Sequence, residues 1–190
     1  MSTKQLEKLA TELDIPEGVT VTYNKPILTV QGQLGKTYKS FKKIPVTIEI
    51  ADNKVLFKAQ GTRDKSRAIM NTARSIIRNL CEGVVEGYTI KMKVVFSHFP
   101  ITVKVEGKQV LIENFQGERA PRKTNIWGET KVAPKGDDVI ITGHVLTDVS
   151  QTAAEIENGS RVKNKDHRVF LSLIHISEPT RPRLISYAVF

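Results

Sequence analysis

This chain has one cysteine, few aromatic residues and no long apolar run, and each shortage removes a class of protein. The single cysteine, Cys81, excludes an internal disulfide framework and any multi-cysteine zinc site. It lies on an apolar helical face and reads as a buried, inert thiol. No stretch approaches the roughly 18 to 20 apolar residues that span a membrane. The opening Met1-Ser2-Thr3-Lys4-Gln5-Leu6-Glu7-Lys8 holds no apolar signal core, so the expected location is the cytoplasm. Catalytic signatures are missing as well. There is no Walker or dinucleotide-type glycine loop and no Gly-x-Ser-x-Gly elbow. His98, His144, His167 and His175 have no i,i+4 partners that would suggest a metal pair, and His98, after an apolar strand, reads as structural. Asp137-Asp138 beside Gly136 reads as a turn. The expectation is a protein that is not an enzyme and takes no cofactor or metal.

Positive charge is in surplus, with a net charge of +9. It is spread along the chain, +5 over residues 1–88 and +3 over residues 89–170. Both halves being basic favours a polyanionic partner over a single basic tail. With aromatics at 6%, no stacking platform of the RRM or OB type is present, which turns a nucleic-acid reading toward folded RNA.

The chain is organised around Gly83 to Pro100, which leaves a helix through Gly83 and Gly87, runs as a strand and stops at a proline. A strand–hairpin–strand–helix pattern precedes it and a second copy follows. Pro16-Glu17-Gly18-Val19-Thr20-Val21 is echoed by Pro100-Ile101-Thr102-Val103-Lys104-Val105, and Leu28 to Gly35 by Val110 to Gly117. Val55 to Ala59 is echoed by Val139 to Gly143, and Asn71 to Arg78 by Gln151 to Asn158, each about 80 residues on. The expected fold is α+β: two tandem duplicated domains, each a small, mainly antiparallel sheet packed on one helix. Their expected spans are 14–88 and 89–171, after an N-terminal extension over 1–13. Leu6, Leu9, Ala10 and Leu13 are spaced for a short amphipathic helix there. In the first main helix Ile69, Ala73, Ile76, Leu80 and Val84 form an apolar stripe. Arg67, Asn71, Arg74 and Arg78 fall opposite, on a face that is either solvated or turned toward an anion.

Three basic groups are candidates for RNA contact. Lys36, Lys39, Lys42 and Lys43 follow the first hairpin. Arg119, Arg122 and Lys123 follow the equivalent glycine of the second, and Arg161, Lys163, Lys165 and Arg168 lie beyond the second helix. Thr37, Ser40, Thr124 and Asn164 add donors suited to backbone oxygens.

Several ordered motifs carry a family resemblance. Pro16-Glu17-Gly18-Val19, Gly32-x-x-Gly35, Gly87-Tyr88-x-x-Lys91-Met92 and His98-Phe99-Pro100 resemble the family of the sixth protein of the large ribosomal subunit. Asn114-Phe115-x-Gly117-Glu118, Gln151-Thr152-Ala153-Ala154 and Val162-Lys163-Asn164-Lys165-Asp166-x-Arg168-x-Phe170 are similar to its archaeal and eukaryotic branch. The resemblance covers residues 14–170. It implies two tandem domains of one fold, no enzymatic activity, and binding to large-subunit ribosomal RNA. It places the protein beside the sarcin–ricin loop and the factor-binding side, with neighbouring ribosomal proteins near the stalk base. It also implies that the second domain carries much of the RNA contact, through Arg119, Arg122, Lys123, Arg161, Lys163, Lys165 and Arg168.

The likeness ends near Ser172, where Ser172-Leu173-Ile174-His175-Ile176-Ser177-Glu178-Pro179-Thr180 has no clear period. The peptide looks like translated sequencing-adapter read-through, so residues 172–190 are expected to be a non-native or disordered tail without function. Set against the RNA-binding reading is a basic two-domain protein–protein adaptor. An adaptor would expose an apolar patch and bind with weak salt dependence, whereas an RNA binder weakens steeply with salt.

Overall fold

The computed structural model describes residues 10–51, 53–59, 64–96, 99–162 and the backbone of 172–180. It divides into two compact units, Met1–Gly87 and Tyr88–Phe190. The division falls one residue before the expected boundary.

In the first unit, β1 (Ala10–Asp14), β6 (Lys54–Ala59) and β5 (Val46–Ala51) form one antiparallel sheet in the order β1-β6-β5. A second sheet, β2-β3-β4, is built from Thr20–Asn24, Ile27–Gly32 and Gly35–Ser40. The strands alternate as half-buried strands must. Val21, Leu28, Val30, Thr37, Val46, Ile48, Val55 and Phe57 turn inward, and their chain neighbours are more exposed. Helix α1 (Asp64–Val85) closes this core with Met70, Ala73, Ile77, Leu80, Cys81 and Val84, at steps of three and four. Ile69 and Ile76 are only partly buried, so the stripe is rotated slightly from the expected one. Gly32 makes the close packing of α1 possible. A Cβ there would lie 2.6 Å from Val84 Cγ2 and 3.0 Å from its backbone oxygen. That oxygen accepts a hydrogen bond from the Leu34 amide, 3.0 Å away, so the β3–β4 turn satisfies one of the free carbonyls at the helix end.

The second unit repeats the plan. Strands β8 (Thr102–Glu106), β9 (Gln109–Glu113) and β10 (Arg122–Asn125) make one sheet in the order β10-β9-β8. Strands β11 (Lys131–Lys135), β12 (Asp138–Gly143) and β7 (Tyr88–Phe96) make the other, with β13 (Ser172–Thr180) added beyond β7. Helix α2 (Leu146–Gly159) buries Val149, Thr152, Ala153 and Ile156 against a core that includes Met92, Ile112, Phe115 and Ile141. Pro134 sits on β11, an outer strand, where a missing amide is tolerated.

Three local expectations change. The helix expected over residues 4–13 gives way at its C-terminal end to β1, because β6 has an open edge and Leu13 faces the core; residues 1–9 lie outside those described. Lys36 to Ser40, read as a polar stretch after the hairpin, is β4. In the tail, Ser172–Thr180 pairs with the outer edge of β7, with a register shift between Ile176 and Glu178. An unpaired edge is a template for any extended segment that reaches it, without need of a periodic sequence.

Candidate RNA interface

Group by group, the structure separates some of the expected contacts and brings others together. On β4, Thr37 is buried while Lys36, Tyr38 and Ser40 turn outward, opposite Gln31, Thr29 and Ile27 of β3. Lys39 pairs with fully buried Leu28, so it belongs to the other face of the sheet and is half-buried. Phe41 fixes the exit of the strand. Its ring is buried and its amide donates to Pro26 O at 2.9 Å, leaving Lys42 and Lys43 exposed on the following turn. The first group is therefore split between two faces and a turn. The outward row of β2-β3-β4 (Thr20, Thr22, Asn24, Ile27, Thr29, Gln31, Lys36, Tyr38 and Ser40) contains no carboxylate.

The second and third groups meet at Arg122. Its Nε donates to Glu118 Oε2 at 2.8 Å and its Nη2 to Glu118 Oε1 at 2.6 Å, a bidentate pair. Its Nη1 donates to the carbonyls of Gly159 at 2.9 Å and Arg161 at 3.0 Å. The guanidinium also lies 4.1 Å from the centre of the buried Phe115 ring. Four of the five N–H donors that a guanidinium carries are thus used internally. Among the described residues expected to contact RNA, Arg122 is the one whose polar head is turned inward. It ties β10 to the turn before it and to the C-terminal end of α2.

Arg119, Lys123 and Arg161 have exposed side chains. Lys123 lies on the outward face of β10 opposite Leu111, and the backbone of Arg161 is held by Arg122. Gly159 permits the approach, since a Cβ there would collide with Thr124 Cγ2 on β10. Lys163, Lys165 and Arg168 lie outside the described residues. The middle of α2 is also tied, to the loop that follows β10. The buried hydroxyl of Thr152 accepts from the Trp127 amide at 3.0 Å, and Trp127 Nε1 donates to Glu155 Oε1 at 2.6 Å.

Sequence reasoning missed the role of Glu118, Phe115 and the Gly159 and Arg161 carbonyls as partners of Arg122. The Glu118–Arg122 spacing of four was visible, but the segment is not an α-helix and the carbonyls lie far along the chain. Elsewhere, Cys81 is 1% exposed and its thiol is pushed up to about 11, first by burial and then by the nearby Glu82 carboxylate. A protonated, buried thiol is inert.

The family described as Ribosomal protein L6 matches residues 15–87 and 99–172, one match for each unit. Archaeal relatives run nearly end to end with the chain. The large ribosomal subunit protein uL6 of Methanosarcina mazei is 39% identical over 171 residues, covering 90% of this chain and 97% of the relative. The protein of the same name from Methanocella arvoryzae is 43% identical over 167 residues, 87% and 94% of the two chains. That of Natronomonas pharaonis is 39% identical over 170 residues, 90% and 96%. The family match ends at residue 172, where the tail departs. With both repeats matched and the likeness spread over nine-tenths of its length, the chain belongs to the ribosomal protein L6 family, on its archaeal side.

Proposed function

We propose that this protein is a structural constituent of the large ribosomal subunit and a ribosomal-RNA-binding component of the translating ribonucleoprotein. It binds large-subunit RNA near the sarcin–ricin loop and the factor-binding side, beside neighbouring ribosomal proteins at the stalk base. It works by charge neutralisation and rigid positioning and performs no catalysis. The observation that carries this reading is the family match across both repeats. The exposed Arg119, the exposed Arg161 whose backbone the Arg122 clamp holds, and the exposed Lys123 on the outward face of β10 support it, since exposed cations on a fixed backbone are what phosphate binding needs.

Reversing Arg119, Lys123 and Arg161 to Glu in the full chain tests the assignment. As a control, the same charge change is made at Lys108, Lys131 and Lys135, which are exposed elsewhere in the unit. The first variant is expected to lose affinity for the sarcin–ricin stem of large-subunit RNA far more than the second. Equal losses would reduce the interaction to diffuse charge attraction and remove these three residues from it.

A further inference from the structure

The duplication supplies its own comparison for helix charge. Helices α1 and α2 occupy the same place in the two units, each after the equivalent strand and each closing a core. Any property required by the fold should be shared by both. Their net charges differ in sign. Residues 64–85 contain Lys65, Arg67, Arg74 and Arg78 against Asp64 and Glu82, a net of +2, and no carboxylate occurs between Lys65 and Cys81. Residues 146–159 contain Asp148, Glu155 and Glu157 and no cation, a net of −3. The positive face of α1 is therefore a property of its sequence that the scaffold does not demand.

Arg67, Asn71, Arg74 and Arg78 are exposed and follow one another at steps of four, three and four, one line along the helix. From Arg67 to Arg78 the line runs about 16 Å at the α-helical rise. Arg67 and Arg74 have no ion-pair partner among the described residues. Arg78 has only the exposed Glu82 at 3.6 Å, a pair worth little in water. Thr72 and Ser75 flank the line and are exposed as well. None of the large exposed apolar side chains, among them Leu34, Tyr38 and Trp127, is on α1. A protein–protein interface is built on buried apolar anchors. A phosphate-lined RNA surface is met by arginine forks and small polar donors, which are what this face carries.

From this we infer that the Arg67–Arg74–Arg78 line of α1 is a second RNA-docking surface, in the first unit, seated on the phosphate backbone of large-subunit RNA. The inference rests on the ribosomal-RNA reading above and adds a surface that the three basic groups do not include.

The test uses the full chain and complete, protein-free large-subunit RNA, with excess unrelated structured RNA as competitor. Three variants are compared with wild type: Arg67→Gln/Arg74→Gln/Arg78→Gln, the corresponding triple Lys variant, and Lys108→Gln/Lys131→Gln/Lys135→Gln as an equal-charge control. All changes are at exposed positions, and unfolding curves confirm that each variant is folded. At roughly 0.7 to 0.9 per phosphate contact, the Gln variant on α1 should flatten the slope of log affinity against log salt by about 2 to 3. The Lys variant and the control should keep the wild-type slope. A Gln variant on α1 with the wild-type slope overturns the inference. If that variant also loses its place in complete subunits, the line faces an acidic protein instead. Failure of the broader reading looks different: wild type would then show no preference for large-subunit RNA over the competitor. A slope lost by Arg119→Glu/Lys123→Glu/Arg161→Glu but kept by the α1 variant would sink only the α1 surface.

Discussion

Replacing Arg122 with lysine or alanine separates a structural clamp from a phosphate contact. Arg122 makes four hydrogen bonds, two to Glu118 and one each to the Gly159 and Arg161 carbonyls, and stacks on Phe115. Counted singly, charge-assisted bonds would be worth about 1.5 to 3 kcal/mol each, but bonds from one head group are not additive. The Arg122 side chain is 23% exposed, which sets it between the near-zero value of a surface pair and the roughly 3 to 5 kcal/mol lost when a buried pair is broken. We expect Arg122→Ala to destabilise the second unit by about 2 to 3 kcal/mol. For a domain of about 100 residues that corresponds to a fall in Tm of roughly 8 to 24 °C. Arg122→Lys keeps the charge but cannot form the planar fork, so it should recover less than half of what alanine loses. The assay is thermal unfolding of the full chain, joined to hydrogen exchange at the amides that close the last turn of α2. The amide of Ser160, bonded to Ile156 O at 3.1 Å, should exchange faster in both variants. A lysine variant as stable as wild type, with unchanged exchange at Ser160, would refute the clamp and return Arg122 to the RNA-contact set.

Other outcomes follow from the packing. Cys81 should resist a thiol reagent at pH 8 in the folded protein and react fully once denaturant unfolds the first unit; ready labelling of folded protein would contradict its burial. Its folded pKa is raised from 9.0 to about 11, so the folded state holds the proton more tightly. This contribution to stability is fully present below pH 9 and declines as pH rises toward 11. Cys81→Ala should show a shallower decline over that window, and identical pH slopes would contradict the assignment. At Gly159, a methyl group would meet Thr124 Cγ2, an overpacking cost of about 1 to 3 kcal/mol that outweighs the 0.5 to 1 kcal/mol that alanine gains within a helix. Gly159→Ala should therefore destabilise the unit, and Thr124→Ser should relieve much of the loss; additive effects in the double variant would contradict the contact. Mass spectrometry of the native protein should yield no peptides from residues 173–183, and their detection would end the read-through interpretation of the tail.

The duplication was legible in the sequence because it rests on local patterns: alternating strands, hairpin glycines and helical stripes that repeat about 80 residues on. β1 escapes these patterns for a reason within the same logic. Seen as a divider between the copies, the strand Tyr88–Phe96 has no equivalent, whereas it is the first strand of the second unit, and β1 is its counterpart in the first. Extending the repeat by one element would have turned residues 10–13 from helix to strand. Leu9 and Leu13, four apart, fit both periods over so short a length, and the open edge of β6 decides between them. β4 was hidden differently, since its only buried side chain is Thr37 and its other residues are polar or exposed. The basic groups were visible by charge, but charge cannot tell a head group that faces solvent from one that faces carbonyls. Arg119 and Arg122 look alike in sequence. Only the approach of Gly159 and Arg161, 37 and 39 residues further along the chain, makes Arg122 internal.

The most direct test of ribosomal-RNA binding is a salt titration of the full chain against two RNAs of equal size. One carries the sarcin–ricin stem of the large subunit and the other is an unrelated structured RNA. Specific recognition predicts tighter binding to the first that survives near-physiological salt, with a steep log–log slope reflecting several phosphate contacts. Equal affinities that vanish together as salt rises would contradict it and leave a basic two-unit protein without a specific RNA ligand.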